Sequence, residues 1–110
     1  MWDVIFDEEA VASGASVTSD PVRLMDGKTV HAFEYTISGD GTFTITVYTS
    51  ISGRSWVSNG AKASGIGKTS GPDSDGVGNI PLKLNPGDMI KFKATAASAE
   101  ATITLWFVQK

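Results

Sequence analysis

Between Thr29 and Ser50 apolar residues recur with a period of two in successive runs, His31, Phe33, Tyr35 and Ile37, then Phe43, Ile45 and Val47. Side chains of an extended chain point alternately to opposite faces, so each run has the signature of a half-buried strand and not of a helix. Gly39-Asp40-Gly41 separates the runs, and the pattern predicts an antiparallel hairpin with one face in a core. The other face of the second run is Thr42, Thr44, Thr46 and Tyr48, residues that suit pleated backbone and tolerate water.

The same alternation closes the chain. Ile80, Leu82 and Leu84 precede the turn signal Asn85-Pro86-Gly87-Asp88, after which Ile90, Phe92, Ala94 and Ala96 alternate with Lys91, Lys93 and Thr95. A second hairpin or meander is predicted there, followed by the weaker turn Ala97-Ser98-Ala99-Glu100 and a strand from Ala101 to Val108. Val4 to Phe6 and Val22 to Met25 have the look of short strands, the second ending at Asp26-Gly27, and Ala10 to Ser16 has room for one helical turn that Gly14 would stop. From Ser58 to Gly78 six Gly and one Pro accompany only Ile66 and Val77 as sizeable apolar residues, which predicts one long Gly-rich loop. The sum is an all-β chain of seven or eight strands, a jelly-roll-like antiparallel β-sandwich forming one domain over residues 1–110. Such a sandwich has open edges, which a homo-oligomer would cover.

Composition narrows the function. The 41% hydrophobic content supports a core, while 19% charged residues with a net charge of -3 leave no basic footprint for nucleic acid. No Cys is present, so disulfides, thiolate nucleophiles and Cys-ligated zinc are out. The first nine residues are acidic where a signal peptide would be basic, and no stretch approaches the roughly 20 apolar residues that span a bilayer. A soluble protein without membrane partners is expected.

Candidate catalytic patterns fail individually. Gly65-Ile66-Gly67-Lys68-Thr69 resembles the end of a phosphate-binding loop, but Lys62 stands where the first Gly belongs and Ser70-Gly71-Pro72 opposes the required helix. Asp73, Asp75 and Asn79 have the alternate spacing of a calcium loop without its distal Glu, so a solvated turn is the plainer reading. His31 is the sole histidine and alternates with Phe33 and Tyr35, which makes it a structural residue before a base. A glycosidase needs two converging carboxylates, for which Glu34 and Glu100 are the strand-borne choices. No cofactor motif is present, and no enzyme is expected.

Tyr48, Trp56 and Trp106 are the candidate ligand-binding residues. Tyr48 and Trp106 fall on the polar-alternating faces of their strands, where they would stack on a sugar or meet a partner. The plainer alternative is that a loop or a neighbouring subunit covers them.

Three segments carry a resemblance: Val47-Tyr48-Thr49-Ser50-Ile51-Ser52-Gly53-Arg54-Ser55-Trp56-Val57, Thr69-Ser70-Gly71-Pro72 with its Gly-rich continuation, and Ile80-Pro81-Leu82-Lys83-Leu84-Asn85-Pro86-Gly87 leading to Ile90-Lys91-Phe92-Lys93-Ala94 and Thr102-Ile103-Thr104-Leu105-Trp106. Together, over roughly residues 40–108, they resemble small virion-associated proteins of phages and prophages. That resemblance implies a non-enzymatic β-sandwich, oligomeric, in contact with other virion proteins and located in the virion or in the host cytoplasm before assembly. It transfers no site residues. The competing expectation is a carbohydrate-binding module that uses the three aromatics.

Overall fold

The computed structural model describes residues 1–69 and 75–110. They form nine strands: β1 (Trp2–Val11), β2 (Ser16–Thr18), β3 (Val22–Arg23), β4 (His31–Gly39), β5 (Thr42–Ser50), β6 (Val57–Gly67), β7 (Val77–Pro81), β8 (Met89–Ala97) and β9 (Ala101–Gln109). There is no helix among the described residues, so residues 10–16 end β1, turn and enter β2.

Pairing is nested. β1 pairs with β9, β2 and β3 both pair with β8, β4 pairs with β7, and β5 pairs with β6, all antiparallel. The first half of the chain thus runs back along the second half as one long ribbon, with the 50–57 bend at its tip. Rolling that ribbon brings β9 against β4 and β8 against β5, giving sheets of order β1-β9-β4-β7 and β2-β8-β5-β6, with β3 also on β8. Counted with β2 and β3 as one interrupted strand, this is the eight-stranded jelly roll.

Two expectations are corrected here. The strands on either side of Gly39-Asp40-Gly41 do not pair with each other, because β4 lies in one sheet and β5 in the other; the same holds for β7 and β8 around Asn85-Pro86-Gly87-Asp88 and for β8 and β9. These turns are corners between sheets. Close approach makes the corners possible: the Gly41 amide donates to the Glu100 carbonyl at 3.2 Å, and a Cβ at Gly41 would run into the Ala99 carbonyl. Gly39 holds φ at 91°, a left-handed value that glycine adopts without strain.

The Ser58 to Gly78 stretch is not one long loop either. Its first part is the eleven-residue β6, and its end is β7. Glycine disguised the strand: Gly60 and Gly65 hold φ of 82° and 67°, and the β5–β6 register shifts three times, so β6 is extended but bulged. Ala63 and Ile66 still reach the core.

Both sheets turn their apolar sets inward. Phe6, Phe33, Tyr35, Ile37, Ile103, Leu105 and Phe107 from one meet Phe43, Ile45, Val47, Ile90, Phe92 and Ala94 from the other, nearly all fully buried. Phe92 contacts Phe33 at 6.1 Å edge-on and Phe107 at 5.5 Å, a tilted triad that joins the two layers. Buried Gln109 closes one end, accepting from the Met25 amide at 2.9 Å and donating to the Arg23 carbonyl at 3.2 Å.

Each edge is blunted within the chain. β1 is bulged and carries Asp7, Glu8 and Glu9, with Glu8 at φ 48°; β3 and β2 are short and separated by Asp20-Pro21; β6 is bulged; β7 is short and ends in Pro81. Charges, bulges, short strands and proline are the devices that keep sheet edges from pairing with other chains.

Candidate functional site

The outward faces hold the aromatics proposed for binding, and they hold them apart. Tyr48 on β5 and Trp56, just before β6, lie on the outer face of the β2-β8-β5-β6 sheet, whereas Trp106 on β9 lies on the outer face of the β1-β9-β4-β7 sheet. The sandwich separates them, so the three do not form one platform.

Tyr48 and Trp56 converge on Lys91, the cross-strand partner of Tyr48. The Lys91 ammonium sits 4.3 Å from the Trp56 ring centroid and 5.9 Å from that of Tyr48. A cation over the indole occupies the face on which a sugar would stack. Lys93 follows on the same face beside Thr46.

Around Trp106 the register builds a different surface. One row across the strands reads Trp2, Val108, Ala32 and Pro81, and the next reads Val4, Trp106, Glu34 and Asn79. Trp2 is 62% exposed, Val4 49% and Val77 50%, so large apolar side chains on this face stand open to water beside the Glu34 carboxylate. Trp2, Glu34, Trp106, Val108 and Lys110 line a shallow hollow of about 480 Å³. The Asn79 side chain donates to the Glu34 carboxylate at a long 3.5 Å. Trp2, Val4 and Val108 were missed in the sequence because their face is visible only once β1 and β9 are known to be neighbours.

The remaining candidates do not assemble a reaction centre. His31 stacks on Phe107 with centroids 6.1 Å apart, and its buried Nε2 has no hydrogen-bond partner among the described residues. Glu100 is in the β8–β9 corner and not on a strand, another correction, and it lies beside Gly41. Gly39 pairs with Ala101, next to Glu100, and Glu34 stands five residues before Gly39 on β4, about 16 Å at strand rise, beyond the roughly 5–10 Å of a glycosidase pair. Of the calcium-like set, Asp73 lies outside the described residues, Asp75 is exposed ahead of β7, and Asn79 is turned toward Glu34. Among the described residues no three His, Asp or Glu side chains gather as a metal site, and no helix is long and apolar enough to cross a membrane. A second hollow, of about 220 Å³, between the 50–57 bend and Asn85-Pro86 is lined by Thr49, Ser50, Ile51, Ser52, Ser55 and Val57, none of them a charged group.

No family model matches the sequence, and no curated protein matches it. Solved structures do match. The fold is similar to that of infectious bursal disease virus VP2 in its subviral particle, with a TM-score of 0.65 and 15% identity over 97% of this chain. A VP2 chain from the Gx strain of the same virus matches with a TM-score of 0.53 at 10% identity, again over 97% of this chain. The chain spans 31% and 30% of those two chains. At such identities the likeness concerns the fold: an all-β jelly roll of two antiparallel sheets.

Proposed function

We propose that this protein is a non-enzymatic structural component of a virion, an accessory of a phage or prophage particle such as a capsid decoration or head or tail protein, acting as one sandwich domain that self-associates and contacts other virion proteins. The observation that carries the reading is the rolled-ribbon fold, shared over 97% of the chain with a viral particle protein, on a molecule whose outer β1-β9-β4-β7 face exposes Trp2, Val4 and Val77. Apolar faces of this kind are where proteins meet proteins. The blunted edges favour the same reading, since they suppress indiscriminate strand pairing while leaving faces free.

Mass spectrometry of purified particles induced from a strain carrying the gene is the direct test. Peptides of this chain should co-purify with the capsid fraction; their absence from intact particles would remove the reading. Light scattering offers a second check, because a strict monomer at high micromolar concentration would contradict self-association.

The carbohydrate-binding alternative now rests on Trp106 with Trp2, Glu34 and Asn79, since Lys91 covers Trp56. Tryptophan emission titrated with a glycan panel decides it: no response to any sugar eliminates that role.

A further inference from the structure

Charge is sorted by sheet. Strands β1, β9, β4 and β7 carry five carboxylates, Asp3, Asp7, Glu8, Glu9 and Glu34, and no Lys or Arg; Asp3 and Glu9 stand opposite inward-facing Phe107 and Ile103, which leaves the outer face Glu34 with Asp7 and Glu8 in the β1 bulge beside Thr104. Strands β2, β3, β5, β6 and β8 carry four bases, Arg23, Lys62, Lys91 and Lys93, and no Asp or Glu. Among the described residues none of these nine groups is in an ion pair; the one such pair, Lys68–Asp40, joins two turns. Glu34 points outward, because it shares its row with Trp106 between buried Phe33 and Tyr35. Lys91 and Lys93 point outward on the opposite side, between buried Ile90, Phe92 and Ala94. The acidic face carries Trp2, Trp106 and the hollow with Glu34 at its wall, where Lys110 beyond the end of β9 is the base at the rim. The basic face carries Tyr48 and Trp56 around Lys91.

We propose that copies of this chain associate face to back, the acidic β1-β9-β4-β7 face of one copy on the basic β2-β8-β5-β6 face of the next, with Lys91 and Lys93 of one molecule opposed to Glu34 and the bulge carboxylates Asp7 and Glu8 of its neighbour. The proposal rests on the self-associating reading above and specifies its mode. Complementary charge decides the geometry. A two-fold pairing of acidic faces would set Glu34 against Glu34 beneath two acidic edges, and a two-fold pairing of basic faces would oppose the lysines, both of which repel. Face-to-back contact instead matches each carboxylate surface with an ammonium surface and places an aromatic set on each side. Such an interface is heterologous, so it generates a closed ring or an open stack. Either suits a component that coats or extends a particle.

Two reversed variants and their mixture test it in sedimentation velocity. Wild-type protein should form species larger than a monomer in dilute salt and lose them as the screening length shrinks from about 30 Å at 0.01 M to about 3 Å at 1 M salt. The Lys91→Glu/Lys93→Glu variant, acidic on both faces, and the Asp7→Lys/Glu34→Lys variant, basic on its central positions, should each sediment as monomers. An equimolar mixture should regain the large species, which also establishes that both variants are folded. If the Lys91→Glu/Lys93→Glu variant alone assembles as wild type does, the face-to-back mode is overturned while self-association stands. If wild type is monomeric at every salt and high micromolar concentration, both readings fall. A monomeric wild type held on a sulfated polysaccharide column through Lys91 and Lys93 would assign the basic face to a polyanion and likewise overturn the proposal.

Discussion

The inward and outward faces of the two sheets obey different rules. Inside, the sheets are chemically alike: aromatic and branched aliphatic side chains from both fill one layer, and Phe33, Phe92 and Phe107 cross it. Outside, they are unlike, one carrying carboxylates with exposed Trp2 and the other lysines with Trp56. Folding requires only that both inner faces be apolar and fit. Nothing in folding requires the outer faces to differ in charge; the face-to-back association proposed above would give that difference a use.

That contrast is most easily broken from within. Phe92→Ala removes the ring that touches both Phe33 and Phe107, at a cost of about 3–5 kcal/mol for a fully buried aromatic. For a chain of this size each kcal/mol lowers the unfolding midpoint by roughly 4–8 °C, so calorimetry should find the transition lowered by well over 10 °C or lost. Gly41→Val acts at a corner, driving a branched side chain into the Ala99 carbonyl. A loss of about 1–3 kcal/mol is expected in chemical denaturation. Gln109→Leu keeps the volume but leaves the Met25 N–H and the Arg23 carbonyl without their partner, for about 1–3 kcal/mol by the same measurement. On the outer face, Val4→Thr should stay within about 0.5 kcal/mol of wild type, because Val4 is half exposed. A large effect there would mean that the face is already covered in the purified protein.

Inner faces were legible in the sequence for the reason that makes those predictions large. Burial of one strand face in two imposes a period of two, and Phe43-Ile45-Val47 or Ile103-Leu105-Phe107 state it without ambiguity. Pairing was not legible. Alternation says that a face is buried but not against which strand, and a Gly-rich turn that permits a hairpin also permits a corner. Hence Gly39-Asp40-Gly41 read as a hairpin although its flanking strands lie in different sheets. β6 was hidden for another reason: at the edge, with only Ala63 and Ile66 buried, it shows almost no alternation, and its glycines serve the bulges. The outer faces fared in between. Tyr48 and Trp106 were visible as aromatics on polar faces, but which sheet each belonged to, and with it the sorting of charge, depends wholly on the strand order.

The smallest effect comes from the one ion pair among the described residues. Lys68 donates to Asp40 at 2.8 Å, and this hydrogen bond, with the attraction of the ammonium, holds the Asp40 carboxyl below its ordinary value. A carboxyl depressed in the folded state favours folding above its unfolded pKa, and that contribution is lost as pH falls through the lower folded value. Asp40 is wholly solvated and the lysine half exposed, so screening leaves little of it in stability. Lys68→Met should therefore raise the Asp40 titration midpoint toward that of a free aspartate, read by carboxyl-carbon NMR, with no resolvable change in the denaturation midpoint at neutral pH. If stability fell at neutral pH but not at acid pH, Asp40 would be more than a surface partner, reinforcing the β4–β5 corner where Thr42 already pairs with Gly67 at the end of β6. An unchanged Asp40 midpoint would instead mean that the pair is not formed in solution, leaving the glycines and the Gly41 amide to hold that corner unaided.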